Sequence, residues 1–428
     1  MTRLGRGVAL AAALLASGGG SAVAVQVPPA LASRASPLQA LIDAAPTGAT
    51  VVLPRGTFAG PLVVNKGIAI IGSGGTEIVV GAEAGGPSFK GNALSVLADG
   101  ASISGLVVRG SGSSLRSMDA GIYLRGRGIR LERCEVRGAL FGIRLDGCSD
   151  CEIADGEISG RAGLPYAERG DGIRVTGGIG NSIRDLRISA VCDGVYLDGT
   201  ESSRVRRVSI SDGRYGIHVM YGRGADIVGA RTERMVVGAM VMGTKRARIS
   251  GGRFEDGRDP RGAALVLFES EDCACEGNIL SGAQKGIGLD GAMRCLVERN
   301  LVSANARGIS IDGDCSGTEV VGNIFVGNAR TVDGAAKAGS VAWTRDGKGN
   351  YWDDYQGHDM DRNGIGDTPY RRPRTFSALS VREELAAVFF GSPLQRALDD
   401  FDLEAEVVDT SPLMVTPFRA ANSGSACE

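Results

Sequence analysis

Histidine is almost absent from this 428-residue sequence: His218 and His358 stand against nine methionines and nine cysteines. No site needing three imidazoles can be assembled, so any metal or proton chemistry must draw on other donors. His218 lies in a phrase that recurs along the chain. Read as a strand, the phrase puts His218 and Met220 on one face, beside Met240 and Met242 of the next repeat. Imidazole together with thioether sulfur is the donor set that selects Cu(I) over harder cations. The alternative is that these methionines fill space beneath a loop or a partner, the ordinary use of an adaptable side chain.

Oxygen donors gather elsewhere. Asp359, Asp361 and Asn363 alternate, Gly364 permits a sharp turn, Ile365 can lend its carbonyl, and Asp367 follows at the ninth place. This is the spacing of a calcium loop, although Tyr370 stands where the bidentate acid belongs. A structural Ca2+ tying the chain end to the last repeat is expected, with a metal-free charged turn as the alternative. Carboxylates close together on adjacent repeats, Asp146, Asp171, Asp193 and Asp198, with Arg144 and Arg174, suggest a polysaccharide lyase or hydrolase acting on an acidic glycan. Against it, Asp before Gly at a strand end is common turn chemistry, and aromatic platforms for sugar rings are missing.

The elements that must position these residues follow from glycine. It makes up 66 of the 428 residues, far above average usage. A five-residue phrase, Gly-apolar-variable-apolar-variable, begins at Gly121, Gly142, Gly172, Gly194, Gly216, Gly238, Gly262, Gly286 and Gly308, at intervals of 21, 30, 22, 22, 22, 24, 24 and 22. A period near 22 with alternating short strands indicates an all-β fold, a parallel β-helix whose turns stack as rungs. Asn278, Asn300 and Asn323 recur at nearly the same period, as a ladder at a turn would. Cys273 and Cys295 each precede such an Asn by five residues, which makes disulfide pairing and buried free thiols equally open readings. The long interval carries an insertion around residues 161–170, expected to protrude. Leu38, Leu41 and Ile42 after Ser36-Pro37 predict a short helix capping the open end.

The termini and the charge balance set the remaining limits. Residues 1–24 show a charged start, a short apolar run and Ala22-Val23-Ala24, the pattern of a signal peptide. The run is too short for a membrane anchor. A net charge of -2 offers no footprint for nucleic acid. The expected organisation is a signal peptide over 1–24, the β-helix over 36–345, the calcium-like loop region over 346–375 and a helical C-terminal tail over 376–428. In that tail Ser380 to Glu383 forms a capping box and Ser392-Pro393 opens a second helix.

Taken together, these features resemble the NosD family of periplasmic copper-binding accessory proteins. The resemblance rests on Leu38-Gln-Ala-Leu-Ile-Asp-Ala-Ala45, Met118-Asp-Ala-Gly121, Glu168-Arg-Gly170, Arg214-Tyr-Gly-Ile-His-Val-Met-Tyr221, Gly349-Asn-Tyr-Trp-Asp-Asp-Tyr355, Pro369-Tyr-Arg371 and the closing Ser411-Pro-Leu-Met414. It implies a right-handed β-helix of the carbohydrate-binding and sugar-hydrolase type, used without hydrolysis. It further implies an ABC transporter (ATPase and membrane subunits) and a copper-donor lipoprotein as partners. Copper would pass toward the copper-sulfur site of nitrous oxide reductase during its maturation. By position, His218 and Met220 match the family's His-x-Met and Met242 a methionine one rung on. Arg174, Thr176 and Met240 stand where the family usually carries more His and aromatics.

Overall fold

The computed structural model describes residues 14–15, 24–27, 37–81, 89–257, 259–334, 340–373, 389, 392–393 and 405–414. Strands of three to six residues with a glycine at one end cannot bury a face alone, so each lies in parallel on its counterpart one period later. The result is a nearly all-β parallel solenoid of about 13 turns. It divides into two compact units, Met1–Arg174 with Asn181–Arg187, and Val175–Gly180 with Ile188–Glu428.

In the first unit, Leu62–Val64, Leu94–Val96, Ala120–Leu124 and Phe141–Asp146 stack in register. The expected capping helix is present at Pro37–Ala44, with Leu38, Leu41 and Ile42 buried. Its Gln39 amide meets the strand edge: Nε2 donates to the Val63 carbonyl at 2.9 Å and Oε1 accepts from the Val63 amide at 2.8 Å. A single side chain thus satisfies an edge residue that would otherwise invite pairing with another chain. The insertion over 161–170 contains a short turn of 3-10 helix at Tyr166–Glu168. Arg161 ties it down by donating to the carbonyls of Ser111, Gly112 and Gly138.

Each turn of the second unit feeds three columns. One runs from Asp193–Asp198 through Ser209–Met220, Arg231–Met242, Ala263–Phe268, Lys285–Asp290 and Arg307–Asp312 to Arg330–Gly334. The others include Ala274–Glu276 on Leu296–Glu298, and Ile279–Ser281 on Leu301–Ser303. The asparagine ladder forms as expected. Asn300 Oδ1 accepts from the main-chain amide and side-chain Nδ2 of Asn278, Asn323 does the same for Asn300, and Asn350 extends the series. The eight described cysteines are free thiols. Cys273 and Cys295 occupy equivalent corners and donate to carbonyls of the preceding rung.

Two expectations need correction. The phrase beginning at Gly262 is displaced by two residues: Leu265 pairs with Ala239, Val266 with Met240 and Phe268 with Met242. Ala264 therefore holds the glycine position, and Val266 and Phe268 rather than Ala264 and Val266 face outward. Four extra residues before it make this interval 26, and parity alone does not reveal a slip of two. Secondly, the tail is not helical throughout, because Ala405–Asp409 is a strand antiparallel to Tyr370–Pro373. The partner lies more than thirty residues away, a nonlocal pairing that local propensity does not report. The helices expected over 380–391 and 392–401 fall, except for residues 389 and 392–393, outside the described residues.

Candidate metal centre

Glycine makes the close approach at the centre. A Cβ on Gly216 would stand 2.4 Å from Thr232 Cγ2 and 2.5 Å from the Gly238 carbonyl oxygen, contacts that no side chain tolerates. With these glycines in place the two strands run in register, so His218 lies opposite Met240 and Met220 opposite Met242. Below them sit Tyr196, opposite His218, and Asp198, opposite Met220. Val266 and Phe268 follow on the other side. The four residues expected from sequence are therefore brought onto one face of neighbouring rungs.

That face is less open than alternation suggests. His218 is only 5% exposed, while the three methionines are half-buried. Tyr196 stacks on the imidazole at 4.3 Å between centroids and 10° between planes, and Tyr215 meets it edge-on at 4.9 Å. The Tyr196 hydroxyl donates to Met220 Sδ at 3.2 Å.

The ring is also held from one side. His218 Nδ1 lies 2.8 Å from Asp193 Oδ2. Arg214 grips the same carboxylate with two bonds, Nε to Oδ1 at 2.9 Å and Nη2 to Oδ2 at 2.7 Å, and its guanidinium lies over the Tyr215 ring. Burial pushes the Asp193 carboxyl up, but the bonds from His218 and Arg214 outweigh it and hold the group below its ordinary value. Arg214 is correspondingly raised by its bond to Asp193. An ionised carboxylate can only accept, so Nδ1 carries the proton and Nε2 presents a lone pair. That Nε2 is buried with no hydrogen-bond partner.

A buried imidazole whose far nitrogen is anchored by a carboxylate and whose near nitrogen is unsatisfied is the arrangement by which proteins orient a metal-ligating histidine. The neighbouring donors are thioethers, so the set fits Cu(I). Sequence reasoning weighed Asp193 only as a glycan carboxylate and did not connect Tyr215 with the site. Both stand one place before the glycine, where alternation counted from the phrase sends side chains to the core. The chain turns at the glycine, and both side chains contact His218 instead.

The other carboxylates weighed for glycan chemistry are already paired. Asp146 bonds Arg144, and Asp171 lies 3.1 Å from Arg174. In the calcium-like loop the acids close the turn with backbone amides. Asp359 accepts from Asn363 and Gly364, Asp361 from Asn363, and Asp367 from Met360. Asn363 Oδ1 accepts from the Ile365 amide.

A family profile described as periplasmic copper-binding protein (NosD) matches residues 154–357, a span that contains the whole centre. A Pseudomonas aeruginosa protein described as a probable ABC transporter binding protein NosD is 26% identical over 385 residues, 79% of this chain and 80% of that one. Its namesake from Stutzerimonas stutzeri is 26% identical over 373 residues, 77% and 80% of the two chains. Residues 154–357 of the chain are thus similar to the NosD family, and both NosD relatives match over most of its length.

Other folds of this kind do different work. The catalytic domain of a GH87 alpha-1,3-glucanase superposes with a TM-score of 0.58 at 11% identity, over 80% of this chain and 71% of that one. PfbA, a surface adhesin of Streptococcus pneumoniae, gives 0.55 at 11% identity, over 74% and 89%. At such identities the likeness concerns the fold alone, and the likeness to NosD rests on sequence. Among the described residues no helix is long and apolar enough to cross a membrane, and the NosD profile's own description is periplasmic.

Proposed function

We propose that this chain is a periplasmic copper carrier in which His218, Met220, Met240 and Met242 take up Cu(I) as cargo, without catalytic turnover of its own. The observation that carries the reading is the buried, unpartnered Nε2 of His218, fixed in its tautomer by Asp193 and flanked by three thioethers in register. The pairing of Asp146, Asp171 and Asp193 with arginines speaks for a carrier over a glycan lyase or hydrolase, whose chemistry needs carboxyl groups free to exchange protons.

On this reading residues 1–24 direct export. The carrier works with an ABC transporter and a copper-donor lipoprotein, and copper moves on toward the copper-sulfur site of nitrous oxide reductase. The relatives' description as ABC transporter binding proteins supports the partnership. A structural Ca2+ held by Asp359, Asp361, Asn363, Ile365 and Asp367 belongs to the same proposal, since carboxylates bonded to amides keep further lone pairs for a hard cation. Anaerobic Cu(I) titration against a competing chelator tests the centre. Wild type should hold copper much more tightly than His218→Ala combined with Met242→Ala, and equal affinity would overturn the proposal.

A further inference from the structure

The second histidine repeats the spacing of the first. His358-Asp359-Met360 has the same His-x-Met form as His218-Val219-Met220. With nine methionines in 428 residues, a methionine two places after a given histidine arises by chance about once in fifty. Both histidines of the chain show it. The second pair lies one residue beyond the stretch matched by the NosD profile.

Its environment is the reverse of the first. His358 is exposed, and Met360 is 85% exposed. A thioether so far from any neighbour fills no gap and gains nothing from packing, so the usual explanation for a methionine fails here. The backbone beneath is nevertheless fixed. Asp367 donates its amide to the His358 carbonyl at 2.8 Å and accepts the Met360 amide at 2.7 Å. The Asp359 carboxylate turns into the loop to bond the Asn363 and Gly364 amides. The tail reaches the same loop, with the Met414 amide donating to the Gly364 carbonyl at 3.0 Å. The oxygen-rich loop therefore holds a short segment whose inner residue is engaged and whose two soft donors face solvent.

We infer that His358 and Met360 form a second Cu(I) site, solvent-facing and faster to exchange than the buried centre. Imidazole and thioether suit Cu(I), and two donors open to water hold it less firmly than four enclosed ones. This inference rests on the proposed copper-carrying role for its meaning, but its site is separate from His218.

The test uses the full chain under anaerobic conditions, with Cu(I) delivered from a chelator and 15N-labelled histidine followed by NMR. Wild type should bind one more Cu(I) than His358→Ala combined with Met360→Leu, and a chelator should withdraw that ion first. The His358 ring signals should move as it binds. Equal stoichiometry and withdrawal kinetics in the two proteins, with His358 signals unmoved, would overturn the inference. The His218→Ala, Met242→Ala protein separates the two claims. It should keep the fast ion and lose the slow one, whereas a wild type with only the fast ion defeats the buried centre and leaves this site standing.

Discussion

At the scale of single residues, the proposed copper centre depends on a carboxylate that acts through the imidazole it holds. Asp193 fixes which nitrogen of His218 carries the proton, so it sets whether Nε2 can donate a lone pair at all. Removing such a partner typically weakens metal binding about 10–100-fold. We expect Asp193→Ala to lose Cu(I) affinity in that range, and the metal-free variant to shift from the Nδ1–H toward the Nε2–H tautomer. Histidine 15N spectra read the tautomer directly, and a wild-type His218 protonated at Nε2 would refute the argument. The proposed ligands were legible in the sequence because His218, Met220, Met240 and Met242 follow one alternation. Their support was not, because Asp193 on the neighbouring rung and Arg214 earlier on the strand of His218 both stand before a glycine, where alternation breaks.

At the scale of the strand, glycine acts in two ways that substitution can separate. Gly216 is required for space, since its Cβ would strike the next rung. Gly199 is required for conformation, with φ of +61° and nothing within 4 Å of a built Cβ. Gly216→Ala should cost at least about 2 kcal/mol through overpacking, and it should also displace His218 from Met240. Gly199→Ala should cost about 1 kcal/mol, the strain of the left-handed region alone. Denaturant unfolding compares them, and equal losses would show that the two roles are not distinct. The repeat was readable because both glycine roles recur with the rung. It failed at Gly262, where Ala264 takes the column position and contributes its carbonyl to the contact with Gly238. The strand at Ala405–Asp409 left no local trace because its partner is supplied by distant residues.

At the scale of the whole molecule, a stack of rungs is as stable as its end allows, because each rung is held chiefly by its neighbours. The asparagine ladder running from Asn278 to Asn350 ends on Asp409, fully buried, which comes from the tail strand. Its carboxylate accepts from the Asn350 amide at 2.7 Å, Trp352 Nε1 at 2.9 Å and Thr344 Oγ1 at 3.0 Å. Trp352 is in turn stacked between Phe325 and Tyr370. Asp409→Ala would leave several buried donors unpaired, each costing about 1–3 kcal/mol. The loss should be graded along the unit. Amide hydrogen exchange should quicken over 318–352, where the ladder ends, and change little over 209–242, where the proposed copper donors lie several rungs away. Copper affinity should then survive the substitution. If protection instead falls evenly from 209 to 352, the rungs unfold as one block, and the tail strand governs the copper centre as well as the end of the stack.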